Sequence, residues 1–421
     1  MRNEPPITWP ASDFSRVPYA AYSDPTIYED EQARVFRGPT WNYLGLEAEL
    51  PGPGDFITTV LGDTPILVSR DEKGTLNAFV NRCMHRGMLL KRERCGNAKN
   101  HTCIYHQWSY DLKGGLIGVP FPKGAGGHGG LPADFDRKTI RLHALTIESY
   151  RGVIFGTFSD SAEPLVDYLG AEVRHELDRL FHKPLKVLGY QRQRIFGNWK
   201  LYNDNVRDPN HGGLLHMFHA TFGLYRLSQT GGAKLDARGR HNITWNSLGT
   251  DDAKITDKGY EGTKKVLQRG FQLADMSMLR YEREFPDDVS LVILSVFPNV
   301  VFQQIANSLC TRQIRCKGIG EMELYWTYFG YDDDSETMTA HRCKQANLVG
   351  PGGLISMEDG EAVEQVHRTV LHERDKHARV EIGGKGAIHT QESLVTEVPI
   401  RGFYRYYCEL MGFPAGQAAA E

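Results

Sequence analysis

The chain has 421 residues, which is enough for about two or three domains and a sizeable hydrophobic core. Its 49 basic and 52 acidic residues almost balance and form no basic block, so neither nucleic acid nor a membrane surface is an expected partner. Residues 1–13 lack a signal-peptide pattern and no run of roughly 18 apolar residues occurs, so we expect a cytoplasmic protein without a membrane-spanning segment.

The first half of the chain reads as a small antiparallel β domain. Between residues 41 and 158, short β-rich runs such as 56–60 and 65–69 alternate with turns built from glycine, aspartate and proline. We assign residues 41–158 to this domain. Residues 1–40 are expected to form a helical segment that packs on the domain of residues 159–421.

Two cysteine-histidine pairs lie within this β domain. Cys83 and His85 form a C-x-H pair, and Cys103 and His106 form a C-x-x-H pair after a spacer of seventeen residues. Such a quartet suits either one zinc ion or a [2Fe-2S] cluster with two cysteines on one iron and two histidines on the other. The single residue inside C-x-H strains a chelate around one ion, so the spacing favours the cluster. The other five cysteines are expected to be reduced thiols.

A glycine-rich stretch, residues 123–130, follows the quartet. It lacks the Lys-Ser/Thr ending and the flanking strand and helix that a phosphate-binding loop requires. We therefore expect a surface loop.

The second half of the chain mixes helical and strand patterns. Helices are predicted over residues 166–181 and 199–227, and strands over residues 289–296 and 299–305. A helix-plus-antiparallel-sheet domain over residues 159–421 follows, and the fold class is α+β. The tail after residue 412 is expected to fray.

A histidine pair in the predicted helix 199–227 is a candidate metal site. Over five residues, an ideal helix rotates a side chain by about 140° beyond a full turn. His211 and His216 therefore share a face only if the backbone is distorted. Pro209 and the glycine pair at residues 212–213 permit such a distortion. From these residues alone, a metal site and a hydrogen-bonded structural pair both stay open. Asp208 is placed to accept the outer N-H of a metal-bound imidazole, or to cap a turn.

The two motifs together resemble those of the large subunits of Rieske aromatic-ring-hydroxylating oxygenases. The stretch Y-H-Q-W-S-Y at residues 105–110 matches the Rieske motif, and N-W-K followed by D-x-x-H-x-x-x-x-H within residues 198–216 matches the motif for a mononuclear iron. The resemblance spans nearly the whole chain. It implies a Rieske domain joined to a helix-grip-like catalytic domain, in which an antiparallel sheet is covered by helices.

The resemblance also implies ligands and cofactors. It assigns Cys83, His85, Cys103 and His106 to a [2Fe-2S] cluster, and it assigns His211, His216 and Asp359 to Fe(II) as a facial triad of two histidines and one carboxylate. The alternative for Asp359 is a solvated acidic helix start. His219 is a spare candidate, expected to line the pocket or to be structural. Asp204 departs from the glutamate common in relatives.

Assembly and electron supply are implied in the same way. In the family, the aspartate matching Asp208 bridges the iron histidine to a Rieske histidine of the neighbouring subunit in a ring-shaped trimer. A homotrimer is therefore expected, and a small β subunit that would make it α3β3 stays open. Electrons from NAD(P)H are expected through a separate reductase and ferredoxin, because no dinucleotide-binding G-x-G-x-x-G follows a strand here.

The substrate is expected to be an aromatic carboxylate. Arg312 ends a strand-like run, and an inward guanidinium needs an anion, although a surface salt bridge is an equal alternative. The run resembles relatives that act on salicylate, anthranilate and terephthalate. We favour an ortho-substituted benzoate, since no second arginine is placed for a second carboxylate. The sequence does not choose between mono- and dihydroxylation. The predicted substrate contacts are Arg312, Asn205, Val206, Leu214, Met217 and Gln304. The rival class is a non-catalytic Rieske electron carrier or zinc-binding protein.

Overall fold

The computed structural model describes residues 7–247, 271 and 273–416. The chain divides into two compact units, one of Met1–Val35 with Val166–Glu421 and the other of Phe36–Leu165. The predicted domain limits after residues 40 and 158 stay predictions. Across the described residues, no helix combines the length and apolar character needed to cross a membrane. The predicted fraying falls mainly on residues 417–421, which lie outside the described part.

The N-terminal segment is mainly helical. Strand β1 (Arg16–Pro18) is followed by helices α1 (Ala20–Ser23) and α2 (Pro25–Glu31) and by a π-helical turn, Gln32–Phe36. Helix α2 begins where it does because the Asp24 side chain accepts a hydrogen bond from the Thr26 N-H and Pro25 occupies the first turn.

The Phe36–Leu165 unit consists of three small antiparallel sheets. Their strands are β2 (Asn42–Leu46), β3 (Asp55–Leu61), β4 (Thr64–Arg70), β5 (Leu76–Val80), β6 (Cys95–Asn97), β7 (His101–Thr102), β8 (Ser109–Tyr110), β9 (Leu116–Gly118), β10 (Thr146–Tyr150) and β11 (Val153–Thr157). The sheet orders are β5-β4-β3-β6, β10-β11-β2 and β7-β8-β9. The predicted runs 56–60 and 65–69 lie inside β3 and β4. The glycine-rich stretch 123–130 is mostly exposed and contains neither helix nor strand, as predicted.

The other unit is built on a seven-stranded antiparallel sheet. Its strands are β12 (Leu185–Ile195), β13 (Gly231–Leu235), β14 (Asn242–Ser247), β15 (Val289–Val296), β16 (Val300–Ile305), β17 (Ser308–Gly318) and β18 (Glu321–Tyr331), in the order β12-β18-β17-β16-β15-β14-β13. A further strand, β19 (His377–Arg379), pairs with β1. The helices are α3 (Leu165–Leu180), α4 (Trp199–Val206), α5 (Pro209–Gly212), α6 (Met217–Phe222), α7 (Glu336–Val349), α8 (Leu354–Val370) and α9 (Val398–Met411).

Four neighbouring strands present one face of this sheet to a group of helices. Thr244, Ile293 and Gln303 are direct cross-strand partners, and Arg312 lies diagonally beyond Gln303 on the same face. Helices α4, α5, α6 and α8 supply the opposite wall of the cavity described below. The prediction of an α+β protein with an antiparallel sheet covered by helices is confirmed.

The prediction of one continuous helix over residues 199–227 is wrong. The stretch forms three short helices, α4, α5 and α6, because Asp208 caps a new helix by accepting from the N-H groups of Asn210 and His211. Pro209 has no N-H to continue the helix before it. The break turns the two histidines toward each other.

Candidate metal centres and active-site cavity

The two cysteine-histidine pairs lie on loops of matching geometry. In one, the Cys83 N-H donates to the Met88 carbonyl at 2.8 Å, and in the other the Cys103 N-H donates to the Trp108 carbonyl at 2.8 Å. The fifth residue of each loop has positive φ, 74° at Gly87 and 57° at Gln107. Each loop thus curls its cysteine inward and carries its histidine outward.

Burial separates the two ligand types. The cysteines are buried, whereas His85 is exposed and His106 partly so, with ring centroids 4.5 Å apart. Trp108 stacks on His85 at 4.7 Å. The Tyr110 hydroxyl accepts from the Met84 N-H and lies 3.3 Å from the Cys83 sulfur. The arrangement fits a [2Fe-2S] cluster whose cysteine-bound iron lies inside and whose histidine-bound iron lies at the surface.

A second ligand group forms where α5, α6 and α8 meet. Oδ1 of Asp359 lies 3.3 Å from Nε2 of His211 and 3.2 Å from Nε2 of His216. Ligand atoms of the three residues fall within 4.8 Å of one another. Two imidazole nitrogens and one carboxylate oxygen that converge from one side fit the facial triad of a non-heme Fe(II) site.

The outer nitrogens of the two histidines are held in different ways. Nδ1 of His216 lies 2.7 Å from Oε2 of Glu358, the residue just before Asp359. Nδ1 of His211 lies 2.5 Å from the backbone carbonyl of Asp208, while the Asp208 carboxylate is 3.7 Å away. Of the two alternatives for Asp208, the structure shows the cap: its carboxylate caps α5, and its backbone carbonyl is the group closest to the outer nitrogen of His211.

Electrostatics ties the three candidate ligands together. Burial raises the pKa of Asp359, but the two imidazoles outweigh burial and hold that pKa well below its usual range. Burial lowers the pKa of His216, but Asp359 and Glu358 outweigh it and raise the pKa to about 9. In its ionised form, Asp359 is the anionic ligand that Fe(II) requires.

A cavity of about 550 Å³, its open mouth included, faces the triad. This volume is in the range of small-molecule sites. The apolar side chains in its wall are Val206, Tyr225, Leu291, Ile293, Ile305, Val349 and Ile355. The polar groups beside the triad are Asn205, Asp208, His219, Thr244, Gln303 and Arg312.

Three of the six predicted substrate contacts lie at this cavity, namely Asn205, Val206 and Arg312. Leu214 and Met217 are partly exposed and do not line it. Gln304 is placed elsewhere, because side chains alternate along β16 and it is Gln303 that faces the cavity. The Gln304 amide oxygen accepts from Arg179 at 2.7 Å on the other side of the sheet. The prediction for Gln304 is thus corrected by one residue.

Sequence reasoning missed Glu358 and Gln303. Glu358 precedes Asp359 directly, so the only signal was its place in an acidic helix start. At Asp204, where relatives commonly carry glutamate, Oδ2 accepts from the hydroxyls of Tyr22 and Tyr404 at 2.7 and 2.8 Å. Burial raises the pKa of Asp204 and these hydrogen bonds lower it, and because burial outweighs them the pKa is raised to about 7.

Comparison with known proteins agrees with this geometry. Residues 40–135 match the family model of the Rieske [2Fe-2S] domain. The chain is 47% identical over 408 residues to the anthranilate 1,2-dioxygenase large subunit of Burkholderia cepacia, covering 97% of this chain and 96% of that protein. The chain belongs to the family of Rieske aromatic-ring-hydroxylating oxygenase large subunits.

Two further full-length relatives support this membership. The terephthalate 1,2-dioxygenase terminal oxygenase component subunit alpha 2 of Comamonas sp is 43% identical, with 96% of this chain and 98% of that protein covered. The salicylate 5-hydroxylase large oxygenase component of Ralstonia sp is 40% identical, with 96% of each covered. The fold is shared with naphthalene 1,2-dioxygenase from Rhodococcus sp, at a TM-score of 0.77, 24% identity and 95% coverage of both chains.

Membership in this oxygenase family makes the chain an aromatic-ring-hydroxylating enzyme and implies a [2Fe-2S] cluster and Fe(II) as its cofactors. The family uses O2, an aromatic substrate and electron-transfer partners. The rival interpretation as a non-catalytic electron carrier or zinc-binding protein is wrong, because the relatives matched over the full length of the chain are oxygenases.

Proposed function

We propose that this terminal oxygenase hydroxylates an ortho-substituted benzoate, salicylate or anthranilate, and that Arg312 binds the carboxylate. The observation that carries the proposal is a buried guanidinium in the cavity wall without an acidic partner. Arg312 is 5% exposed, no carboxylate lies within 4.0 Å of it among the described residues, and the Asp359 carboxylate acts on its charge from farther away. Its Nη1 donates to the Tyr202 hydroxyl at 2.7 Å, while its Nε has no hydrogen-bond partner there.

A buried cation without a counter-ion is costly, and a carboxylate offers a guanidinium two parallel hydrogen bonds. A bound benzoate therefore supplies the missing charge. The remaining wall is largely apolar, with Ile293, Ile305 and Val349 among its members, which suits a flat aromatic ring. Among the described residues that line the cavity, Arg312 is the only arginine or lysine, so a dicarboxylate such as terephthalate is the second candidate.

The chain's residues prepare the site for oxygen chemistry. Bound Fe(II) would supply dioxygen activation, and a bound [2Fe-2S] cluster would supply single electrons. Asp359, His211 and His216 occupy one face and leave the cavity side open to substrate and O2. Glu358 and the Asp208 carbonyl hold the two imidazoles in orientation.

The proposal includes the electron supply and the assembly. A separate NAD(P)H reductase and a ferredoxin reduce the cluster, and the chain works as a homotrimer, with or without a small β subunit. Asp208 supports this arrangement, because its Oδ1 caps α5 while its Oδ2 accepts no hydrogen bond from a described residue, which leaves Oδ2 available for a histidine of a neighbouring subunit. A cytoplasmic location stays a prediction.

The test is turnover with a defined substrate panel. Anaerobically reduced enzyme is mixed with O2 and benzoate, salicylate, anthranilate, terephthalate or naphthalene, and the products and their added hydroxyls are counted. Prior reduction makes the result independent of the physiological donors. We expect the ortho-substituted benzoates to give the highest yields. Preference for naphthalene, or no product from any carboxylate, would contradict the proposal.

A further inference from the structure

His219 is a buried histidine that the iron site does not use. It lies one helical turn after His216 in α6, is 3% exposed, and its ring centroid is 5.5 Å from that of His216. It nevertheless lines the same cavity as the triad. Its Nε2 has no hydrogen-bond partner among the described residues.

Unpartnered nitrogens lie on both walls of the cavity. Nε of Arg312 and Nε2 of Gln303 belong to the sheet, and Nε2 of His219 belongs to the helical side. Buried polar atoms are almost always hydrogen-bonded, so each of these nitrogens is able to form a hydrogen bond with a bound ligand. An aromatic ring between the walls that is anchored by its carboxylate at Arg312 can present a second polar group to His219.

We propose that His219 binds the second ring substituent, an amino or hydroxyl group, and so selects substituted benzoates over benzoate itself. This inference rests on the proposed function. A neutral imidazole nitrogen accepts a hydrogen bond from an N-H or O-H group. An uncharged substituent fits better than a second carboxylate, which would add a buried anion where Arg312 is the only guanidinium that the described part of the chain supplies.

The test compares substrate preference in variants of the full-length, iron-loaded enzyme. His219→Phe keeps a planar ring without the hydrogen bond, and His219→Gln keeps a polar atom near the position of Nε2. His372→Phe is the matched control, because His372 is exposed. The measured quantity is the ratio of kcat/KM for 2-amino- or 2-hydroxybenzoate to kcat/KM for benzoate, together with substrate dissociation constants and iron content.

We expect His219→Phe to lower this ratio by about tenfold to a hundredfold, because one buried hydrogen bond to the substituted substrates is lost. The loss should appear as weaker binding of those substrates. His219→Gln should recover part of it, and His372→Phe should keep the wild-type ratio. An unchanged ratio in His219→Phe, or equal loss for every substrate, overturns the role. The value of kcat/KM for terephthalate is measured in the same variants, and a loss confined to that substrate also overturns the role, in favour of a second carboxylate site. If the wild-type enzyme hydroxylates no benzoate, the proposed function itself has failed.

Discussion

At the scale of single residues, the side chains that line the cavity determine which substrate binds. Arg312 is held by Tyr202 and lies over the Trp326 ring, with 5.1 Å between the guanidinium carbon and the ring centroid. These contacts fix its orientation without neutralising its charge. Its positive charge is therefore left for the ligand.

Replacing Arg312 by leucine should raise KM for the carboxylate substrate by about a hundredfold, since a buried charge pair is worth several kcal/mol when one partner is removed. Steady-state kinetics check this, with iron content measured in parallel. The KM of Arg312→Lys should lie between those of the wild type and of Arg312→Leu, because an ammonium keeps the charge but not the paired donors. Wild-type KM in the leucine variant would contradict the anchor.

Asp204 makes a pH-dependent contribution to stability. The pKa of Asp204 is raised to about 7 in the folded chain, whereas its ordinary value is 3.8. Between these two pH values, the folded state holds a proton that the unfolded state has lost. Stability must then fall as pH rises, by about 1.4 kcal/mol per pH unit. The difference in unfolding free energy between wild type and Asp204→Asn should follow this slope from about pH 4 to 7 in urea titrations. A pH-independent difference would show that Asp204 is ionised throughout.

At the scale of elements, the iron site depends on where α8 lies against its neighbours. Helix α8 carries Asp359 and Glu358, and its Val363 packs against Gly197, just before α4. A Cβ added at Gly197 would meet Cγ1 of Val363 at 2.6 Å. A β-branched side chain in a helix has one preferred rotamer, so Val363 cannot turn away.

Gly197→Ala should therefore shift α8 and cost about 1 to 3 kcal/mol of stability. The same shift moves Asp359 from the histidines, so mononuclear iron should fall while the cluster absorbance is retained. Gly318→Ala is the control, because a Cβ there meets no atom within 4 Å. Equal iron content in the two variants would show that α8 tolerates the extra methyl group.

At the scale of the whole molecule, the two redox centres must exchange electrons. Asp208 lies beside His211 at the edge of the iron site, and its carboxylate is not bonded to that histidine. Asp208→Ala should keep both metal centres and lose turnover, as checked by iron analysis and product formation. Normal hydroxylation by this variant would rule out the bridge to a neighbouring subunit.

Mixed assemblies test the same exchange independently. Chains with Cys103→Ser lack a cluster ligand, and chains with His211→Ala lack an iron ligand, so each should be inactive alone. If electrons cross between subunits of a ring-shaped trimer, a random equal mixture should recover about a quarter of the wild-type activity per chain. Electron transfer within each chain predicts no recovery.

The ligands and the strands were predictable because both depend on local spacing. The pairs C-x-H and C-x-x-H, the alternation in β3 and β4, and the break signals at Asp208 and Pro209 are written within a few neighbouring residues. Covalent geometry converts such short spacings directly into shape, which is why both candidate ligand groups could be located from the residues. Their assignment to a cluster and to Fe(II), with Asp359 from a distant helix, came from the resemblance to the family.

Contacts between distant segments could not be predicted from local spacing. The choice of Gln303 over Gln304 depends on which face of β16 the helices cover, and the hydrogen bond from His216 to Glu358 joins residues 142 positions apart. Likewise, no carboxylate of the described residues lies within 4.0 Å of Arg312, and Asp359 of α8 acts on its charge from farther away. These features arise when the sheet and helices pack together, since burial selects one face of each element and local spacing does not encode that choice.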